Sequence, residues 1–325
     1  MPYVALGDSY SAGVGAGGGR GTCFRGPRGY PPLLARRLGL DLAYQACLGA
    51  TISDLVRVQL GALDAATEVV TLTIGGNDAG FADVLRKAAS PAWLSDSAAA
   101  IAGAEVIIRD RLPRLLTDAY RAVRAAAPHA EITVATYPRL FNGTDCHPLT
   151  FFTSEELERL NRVGDRLATV IGDAAGDAGI EVVDVRDGFE GHAVCDPAPM
   201  VNGLVLPVWE SFHPTASGHA EYARVLAAGR SSTSRAAEEV RVTFGPDTGA
   251  SAARFWLPRL DSEESLAAAD AAGLDREQVR ALGFELRRWW SGGIDAPDLG
   301  LDEVQGRPPT PGEVAAAEEI RALGG

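Results

Sequence analysis

Five short apolar runs, alternating with stretches of helical periodicity, constrain this chain more than any other feature of it. The runs are Tyr3–Leu6, Leu42–Ala46, Val69–Ile74, Ile132–Thr136 and Ile180–Val185. Each is rich in apolar or β-branched residues, as strands covered on both faces should be. Leu157, Leu160, Val163, Leu167 and Ile171 recur at helical spacing, and Thr153 followed by Glu156 reads as a capping box. Asp96–Ala127 carries Ile101, Ile108, Leu112, Leu115 and Val123 on a similar stripe, which Pro113 is expected to kink or divide. Another helix starts at Thr215, with Tyr222 and Leu226 four apart. Strand–helix alternation of this kind predicts a three-layer α/β fold around a central parallel sheet.

The pattern changes near residue 230. Ser231–Ser234 reads as a linker, and Val240–Phe244 and Ala253–Leu257 flank a turn-forming segment as a hairpin would. Asp275–Trp290 reads as an amphipathic helix bearing Val279, Leu282, Leu286 and Trp289, and a last short helix starts near Pro311. The expected division is residues 1–230 as one α/β domain and 231–325 as a smaller C-terminal extension. The helix near Trp289 and Trp290 has three readings: part of a small core, a lid over a cleft, or an aromatic patch for a partner.

Of the 325 residues, 30 are basic and 43 acidic, a net charge of −13. A nucleic-acid binder needs a basic face, so that class is excluded. An anionic membrane surface is also disfavoured as a primary partner. No apolar stretch reaches the length of a membrane span. The start, MPYVALGDSY, lacks the features of a signal peptide, so the chain is expected either to be cytoplasmic or to have lost a leader.

Four blocks carry chemistry. Gly7-Asp8-Ser9, Gly49-Ala50-Thr51 and Gly75-Gly76-Asn77-Asp78 each follow a predicted strand, and Glu210-Ser211-Phe212-His213-Pro214 precedes the last helix of the α/β part. Open parallel sheets place their ligand crevice beyond the strand C-termini, so the first three blocks can converge. Ser9 becomes an acyl nucleophile only if a base takes its proton and donors hold the developing oxyanion. His213 supplies the base. The donors would be the N–H groups of Ser9 and Gly49 and the side-chain amide of Asn77. Asp8 and Asp78 read as structural, bonding local backbone amides.

These blocks, as GDSYSAG, LGAT, GGND and ESFHP, resemble those of the SGNH (GDSL) hydrolases, most closely the secreted actinobacterial lipases and esterases. The resemblance spans roughly residues 3–230. It implies a flavodoxin-like sheet, ester hydrolysis through an acyl-serine, and neither metal nor cofactor. It assigns Ser9 as nucleophile, Gly49 and Asn77 as oxyanion donors with Ser9, and His213 as base. The group that orients His213 is either the Glu210 carboxylate or the Ser211 carbonyl. The resemblance also implies the disulfides Cys23–Cys47 and Cys146–Cys195. Free thiols are the alternative, and a zinc site of Cys146, His147, His192 and Cys195 is a weaker rival.

Gly13–Gly18 matches GxGxxG, but the serine block already occupies the turn after the strand. A flexible surface loop is the better reading than a dinucleotide site. The expected function is carboxylic-ester hydrolysis on a small-molecule or lipid ester, by a monomer. The alternatives are an acyltransferase that passes the acyl group from the same serine to an alcohol, and a binding module without turnover. The cysteines and the family branch point to a secreted protein, because disulfides persist outside the cell.

Overall fold

The first apolar run forms β1, Tyr3–Gly7, every residue of which is buried. The computed structural model describes residues 2–228, 240–247, 257–290 and 307–323, and of Arg288 and Trp290 the backbone alone. The other runs form β2 (Leu42–Tyr44), β3 (Val69–Thr73), β4 (Glu131–Ala135) and β5 (Glu181–Val183), and Val242–Phe244 forms β6. Helices of the α/β part are α1 (Ser9–Ala12), α2 (Tyr30–Leu38), α3 (Ile52–Arg57), α4 (Phe81–Ala88), α5 (Ser97–Asp110), α6 (Leu112–Ala126), α7 (Ser154–Asp177) and α8 (Ala216–Leu226). Three more follow: α9 (Glu263–Ala271), α10 (Arg276–Trp290) and α11 (Pro311–Leu323).

The strands pair in the order β5-β4-β3-β1-β2-β6, all parallel. Val4 pairs with Ala43 on one side and with Val70 on the other. The first five strands therefore stand in the flavodoxin-like order 2-1-3-4-5, as expected. Helices α2 and α8 pack together, and α3 to α7 pack as a second group. Right-handed crossovers place the two groups on opposite faces of the sheet. The chain leaves β1 towards β2 and later passes it to reach β3, so the strand order reverses between β1 and β3. A ligand crevice belongs beyond the C-termini of those two strands.

Helix α7 begins with the expected capping box, Thr153 with Glu156. Its stripe Leu157, Leu160, Val163, Leu167 and Ile171 is buried. Each such side chain contributes about 1.5–3 kcal/mol of hydrophobic stabilisation. The stretch 97–126 is divided, as Pro113 implied: α5 ends at Asp110 and α6 starts at Leu112. The buried stripe continues across the break as Ile108, Leu112, Leu116 and Ala119, so Leu115, expected on the core stripe, falls beside it and is 41% exposed.

The expected hairpin is corrected in its first half. Val242–Phe244 is a strand, but it extends the main sheet by pairing in parallel with β2, as Leu42↔Val242 and Tyr44↔Phe244. The exposed edge of β2 offers unpaired backbone groups, and β6 satisfies them. Residues 253–256 of the expected second half, and the linker 231–234, lie outside the described residues. Helix α10 packs on both α9 and α11, and its Trp289 is buried with its indole N–H donating to the Arg307 carbonyl at 3.0 Å. The α10 helix is thus part of a core, and the Trp289 ring also lies 5.2 Å from the His147 ring of the α/β part. Among the described residues no helix is long and apolar enough to cross a membrane.

Candidate active site

The end of β1 is pinned before it turns. The Gly7 N–H donates to Gln59 Oε1 at 2.7 Å, and Gln59 Nε2 donates to the Gly7 carbonyl at 2.9 Å. Asp8 then caps the single turn of α1, accepting from the Tyr10 N–H at 3.0 Å. Ser9 is the first residue of that turn, where a helix leaves its amides without internal partners.

His213 is brought to Ser9 by the loop before α8. Val201 and Pro214 form an antiparallel bridge there. The Asn202 N–H donates to the His213 carbonyl at 2.9 Å, and the Phe212 N–H to the Asn202 carbonyl at 3.0 Å. Asn202 Nδ2 donates to the carbonyls of Gly15 at 3.0 Å and Glu210 at 3.2 Å. Phe212 has φ +59, a left-handed backbone that is uncommon outside glycine. The Tyr10 hydroxyl holds its carbonyl at 2.8 Å. This kink turns the Ser211 carbonyl back towards the imidazole.

His213 Nδ1 lies 2.9 Å from the Ser211 carbonyl oxygen, and Nε2 lies 2.8 Å from Ser9 Oγ. A carbonyl only accepts, so Nδ1 carries the proton and the Nε2 lone pair faces the Ser9 hydroxyl. Burial pushes the imidazole down to about 4, with His219 adding to the effect and the Ser211 bond opposing it. The ring is therefore neutral at pH 7 and free to accept a proton. Of the two expected orienters, the Ser211 carbonyl occupies the place. The Glu210 carboxylate makes no hydrogen bond to the imidazole among the described residues, and burial raises its pKa against the opposing charge of Arg28.

Ser9 and Asn77 line one cleft with His213. Asn77 Nδ2 spends one hydrogen on the Ala50 carbonyl at 2.9 Å and keeps a second. Gly49, at φ +77, adjoins Leu48 on the cleft wall, and its N–H has no partner among the described residues. Asp8 is structural in the way expected, but it also accepts from the Tyr137 hydroxyl at 2.5 Å, and Tyr137 in turn accepts from the Gly76 N–H at 3.0 Å. Burial raises the Asp8 carboxyl to about 7 despite those donors. Asp78 is held by its own backbone amide and also reaches a distant one, accepting from the Ile52 N–H at 3.0 Å at the start of α3.

The cleft holds about 860 Å³ of atom-free space, its open mouth included. Its walls are largely apolar, with Leu48, Phe81, Leu85, Phe141, Leu160, Leu167 and Trp209 among them. A largely apolar cleft with a few convergent polar groups is the usual form of a small-molecule site. Among the described residues, none beyond 213 lines it.

The glycine loop departs from its expected flexible, exposed character. Val14 and Ala16 are buried, and His219 Nε2 lies 3.1 Å from the Val14 carbonyl. The glycines permit close backbone approach to the His213 loop rather than to a nucleotide. Cys23 is bonded to Cys47 and Cys146 to Cys195. The zinc alternative is thereby removed, because both of its thiolates are spent.

Sequence reasoning missed Asn202, Gln59 and Tyr137. Their partners are backbone carbonyls, backbone amides and Asp8, which no local spacing announces. The cleft walls come from several separate elements and were equally silent.

The family model of the GDSL-like lipase/acylhydrolase family matches residues 5–221. A lipase of Streptomyces rimosus is 38% identical over 224 residues, covering 67% of this chain and 82% of that protein. Lipase 1 of Streptomyces coelicolor is 38% identical over 222 residues, covering 66% and 81%. The crystal structure of the extracellular lipase from Streptomyces rimosus superimposes with a TM-score of 0.65 at 37% identity, over 70% of this chain and 98% of that one. That of phospholipase A1 from Streptomyces albidoflavus gives a TM-score of 0.63 at 37% identity, over 70% and 98%. On these matches the chain belongs to the GDSL-like lipase/acylhydrolase family and is an enzyme of its lipase and esterase kind.

Proposed function

We propose that this protein hydrolyses lipid esters of substantial acyl length, with Ser9 as nucleophile and His213 as base, outside the cell. The observation that carries the reading is the 2.8 Å contact between Ser9 Oγ and His213 Nε2 at the head of an apolar cleft. Ser9 Oγ attacks the ester carbonyl while His213 Nε2 takes its proton. The oxyanion gathers against the N–H groups of Ser9 and Gly49 and the free hydrogen of Asn77. His213 then gives its proton to the departing alcohol as the ester C–O bond breaks. Water next attacks the acyl-serine, losing a proton to His213, and the acid leaves as Ser9 Oγ recovers that proton. The Ser211 carbonyl keeps Nδ1 protonated throughout and steadies the imidazolium between steps.

The relatives' names, lipase and phospholipase A1, bring both neutral lipids and phospholipids into the substrate class. Two disulfides and an extracellular relative support the location. The test is hydrolysis of p-nitrophenyl esters and a phospholipid by wild type and Ser9→Ala. Activity should fall by at least about a thousandfold in the variant, as removal of a catalytic serine does. Equal rates would sink the assignment, and acyl transfer to added alcohol in preference to water would shift it to an acyltransferase.

A further inference from the structure

Residues 244–247 lie beyond the segment matched by the family, and none of them lines the cleft. They nevertheless grip the loop behind the Gly49 turn. Asp247 accepts three hydrogen bonds: from the Thr22 N–H at 2.8 Å, the Thr22 hydroxyl at 2.8 Å and the Cys23 N–H at 2.9 Å. Arg25 reaches back, donating to the carbonyls of Gly245 at 2.8 Å and Pro246 at 2.9 Å, while its Nε donates to Ala46 at 2.8 Å. The Gly245 N–H donates to the Tyr44 carbonyl at 2.9 Å. Three segments, 22–25, 44–48 and 244–247, are thus bonded into one unit.

That unit ends in the cleft. The Leu48 N–H donates to the Cys23 carbonyl at 3.1 Å, and Leu48 both lines the cleft and precedes Gly49. Phe24 packs on Trp209 of the cleft wall, with ring centroids 5.3 Å apart. The Cys23–Cys47 disulfide fixes the separation of the two turns. It does not fix the direction of the peptides around Cys23, and the Asp247 carboxylate does. The approach is built in: Gly21 has φ +67, and a β-carbon there would lie 2.3 Å from Asp247 Oδ2.

We propose that Asp247 is a positioning residue for the oxyanion site. By orienting the Thr22–Cys23 amides it sets the carbonyl that holds Leu48, and through Leu48 the direction of the Gly49 N–H. The proposal rests on Gly49 being an oxyanion donor, as argued above. Oxyanion donors act only when aimed within tenths of an ångström, so a small rotation costs rate without costing substrate binding.

The experiment uses the full chain with Asp247→Ala, Asp247→Asn, Asn77→Ala and Ser9→Ala. Asp247 is exposed, so its removal leaves the core intact. In D247A, kcat should fall about tenfold with KM unchanged, and affinity for an alkyl boronic acid, whose tetrahedral adduct mimics the transition state, should weaken by about the same factor. D247N should recover part of both, because its amide oxygen still accepts from Cys23 and the Thr22 hydroxyl. Unchanged kcat, a rise in KM alone, or a fall in kcat with unchanged boronate affinity would each overturn the proposal. Should D247A unfold, D247N still tests the proposal, with smaller falls in kcat and in boronate affinity expected to match each other at unchanged KM. If D247A keeps wild-type rates while S9A and N77A lose theirs, the Asp247 proposal fails and the site stands. If S9A and N77A also keep their rates, the site assignment itself fails.

Discussion

A β-carbon added to Gly15 would lie 2.8 Å from the β-carbon of His213 and 2.6 Å from the Pro214 carbonyl oxygen. Real β-carbons do not approach that closely, and Gly15 has φ +92, a conformation other residues rarely adopt. Gly15→Ala should therefore push the imidazole off Ser9. We expect kcat/KM on a short aryl ester to fall by about a hundredfold, the usual cost of a 1 Å misplacement. Stopped-flow labelling of Ser9 by a fluorophosphonate should slow in parallel, and wild-type labelling would disprove the coupling.

The pH profile should be displaced to acid. Burial holds His213 near 4 against an ordinary value of 6.5. Activity needs the neutral ring, so kcat/KM should stay flat through pH 6.5 and fall only on approach to 4. A midpoint at 6.5 would contradict the burial described. Stability has its own dependence. His147, His213 and His219 are all pushed down to about 4 by burial. Between pH 6.5 and 4 the unfolded chain binds more protons than the native one, so these histidines make stability fall as pH falls through that window. Asp8, raised to about 7, acts in the opposite sense, its contribution being lost as pH rises from 3.8 through 7. Chemical denaturation at pH 4.5, 6 and 7.5 reads the sum.

Glu210→Gln should keep kcat/KM within about threefold of wild type, because the Ser211 carbonyl already holds Nδ1. Losing a carboxylate that truly orients the base costs about ten-thousandfold. A loss of that size on a p-nitrophenyl ester would return the role to Glu210.

Gly164 of α7 lines the cleft, and a β-carbon there meets no atom within 4 Å. Gly164→Leu should fit the backbone and fill the channel. The helix gains about 1 kcal/mol from losing an interior glycine. Hydrolysis of a dodecanoyl ester should drop by more than about tenfold while an acetyl ester changes less than about threefold, since the lost contacts are those of the distal chain. Equal effects on both esters would place the acyl chain elsewhere.

The disulfides close loops of 24 and 49 residues. Each should stabilise by about 3–4 kcal/mol through the unfolded state. Reduction before a urea titration should lower the midpoint accordingly, and an unchanged midpoint would show that neither bridge constrains the unfolded chain.

Some of this was legible from residue types alone. Ser9, Asn77 and His213, the proposed catalytic groups, were visible because acyl transfer demands those residue types, and strands β1 to β4 because doubly covered strands must be apolar; β5, an edge strand exposed at Glu181 and half-buried at Val182 and Val183, showed only through its β-branched residues. Other features turned on backbone geometry that residue type does not encode. Whether Glu210 or Ser211 orients the imidazole is decided by Phe212 at φ +59. Asn202 works through carbonyls that any loop possesses. Val242–Phe244 read correctly as a strand, but its partner was chosen by the open edge of β2, a tertiary circumstance. Leu115 missed the core because the buried stripe runs through Leu112, Leu116 and Ala119 and passes beside it.

The contact between Ser9 and His213 spans 204 positions of sequence. The proposed nucleophile and its proposed base thus belong to distant parts of the chain, one at the end of β1 and the other just before α8. On the proposed assignment, a growing chain carries no esterase chemistry until both residues have been made and brought together. Ester turnover in this protein reports completed assembly, and any fragment ending before residue 213 should be chemically silent towards the lipids of the cell that makes it.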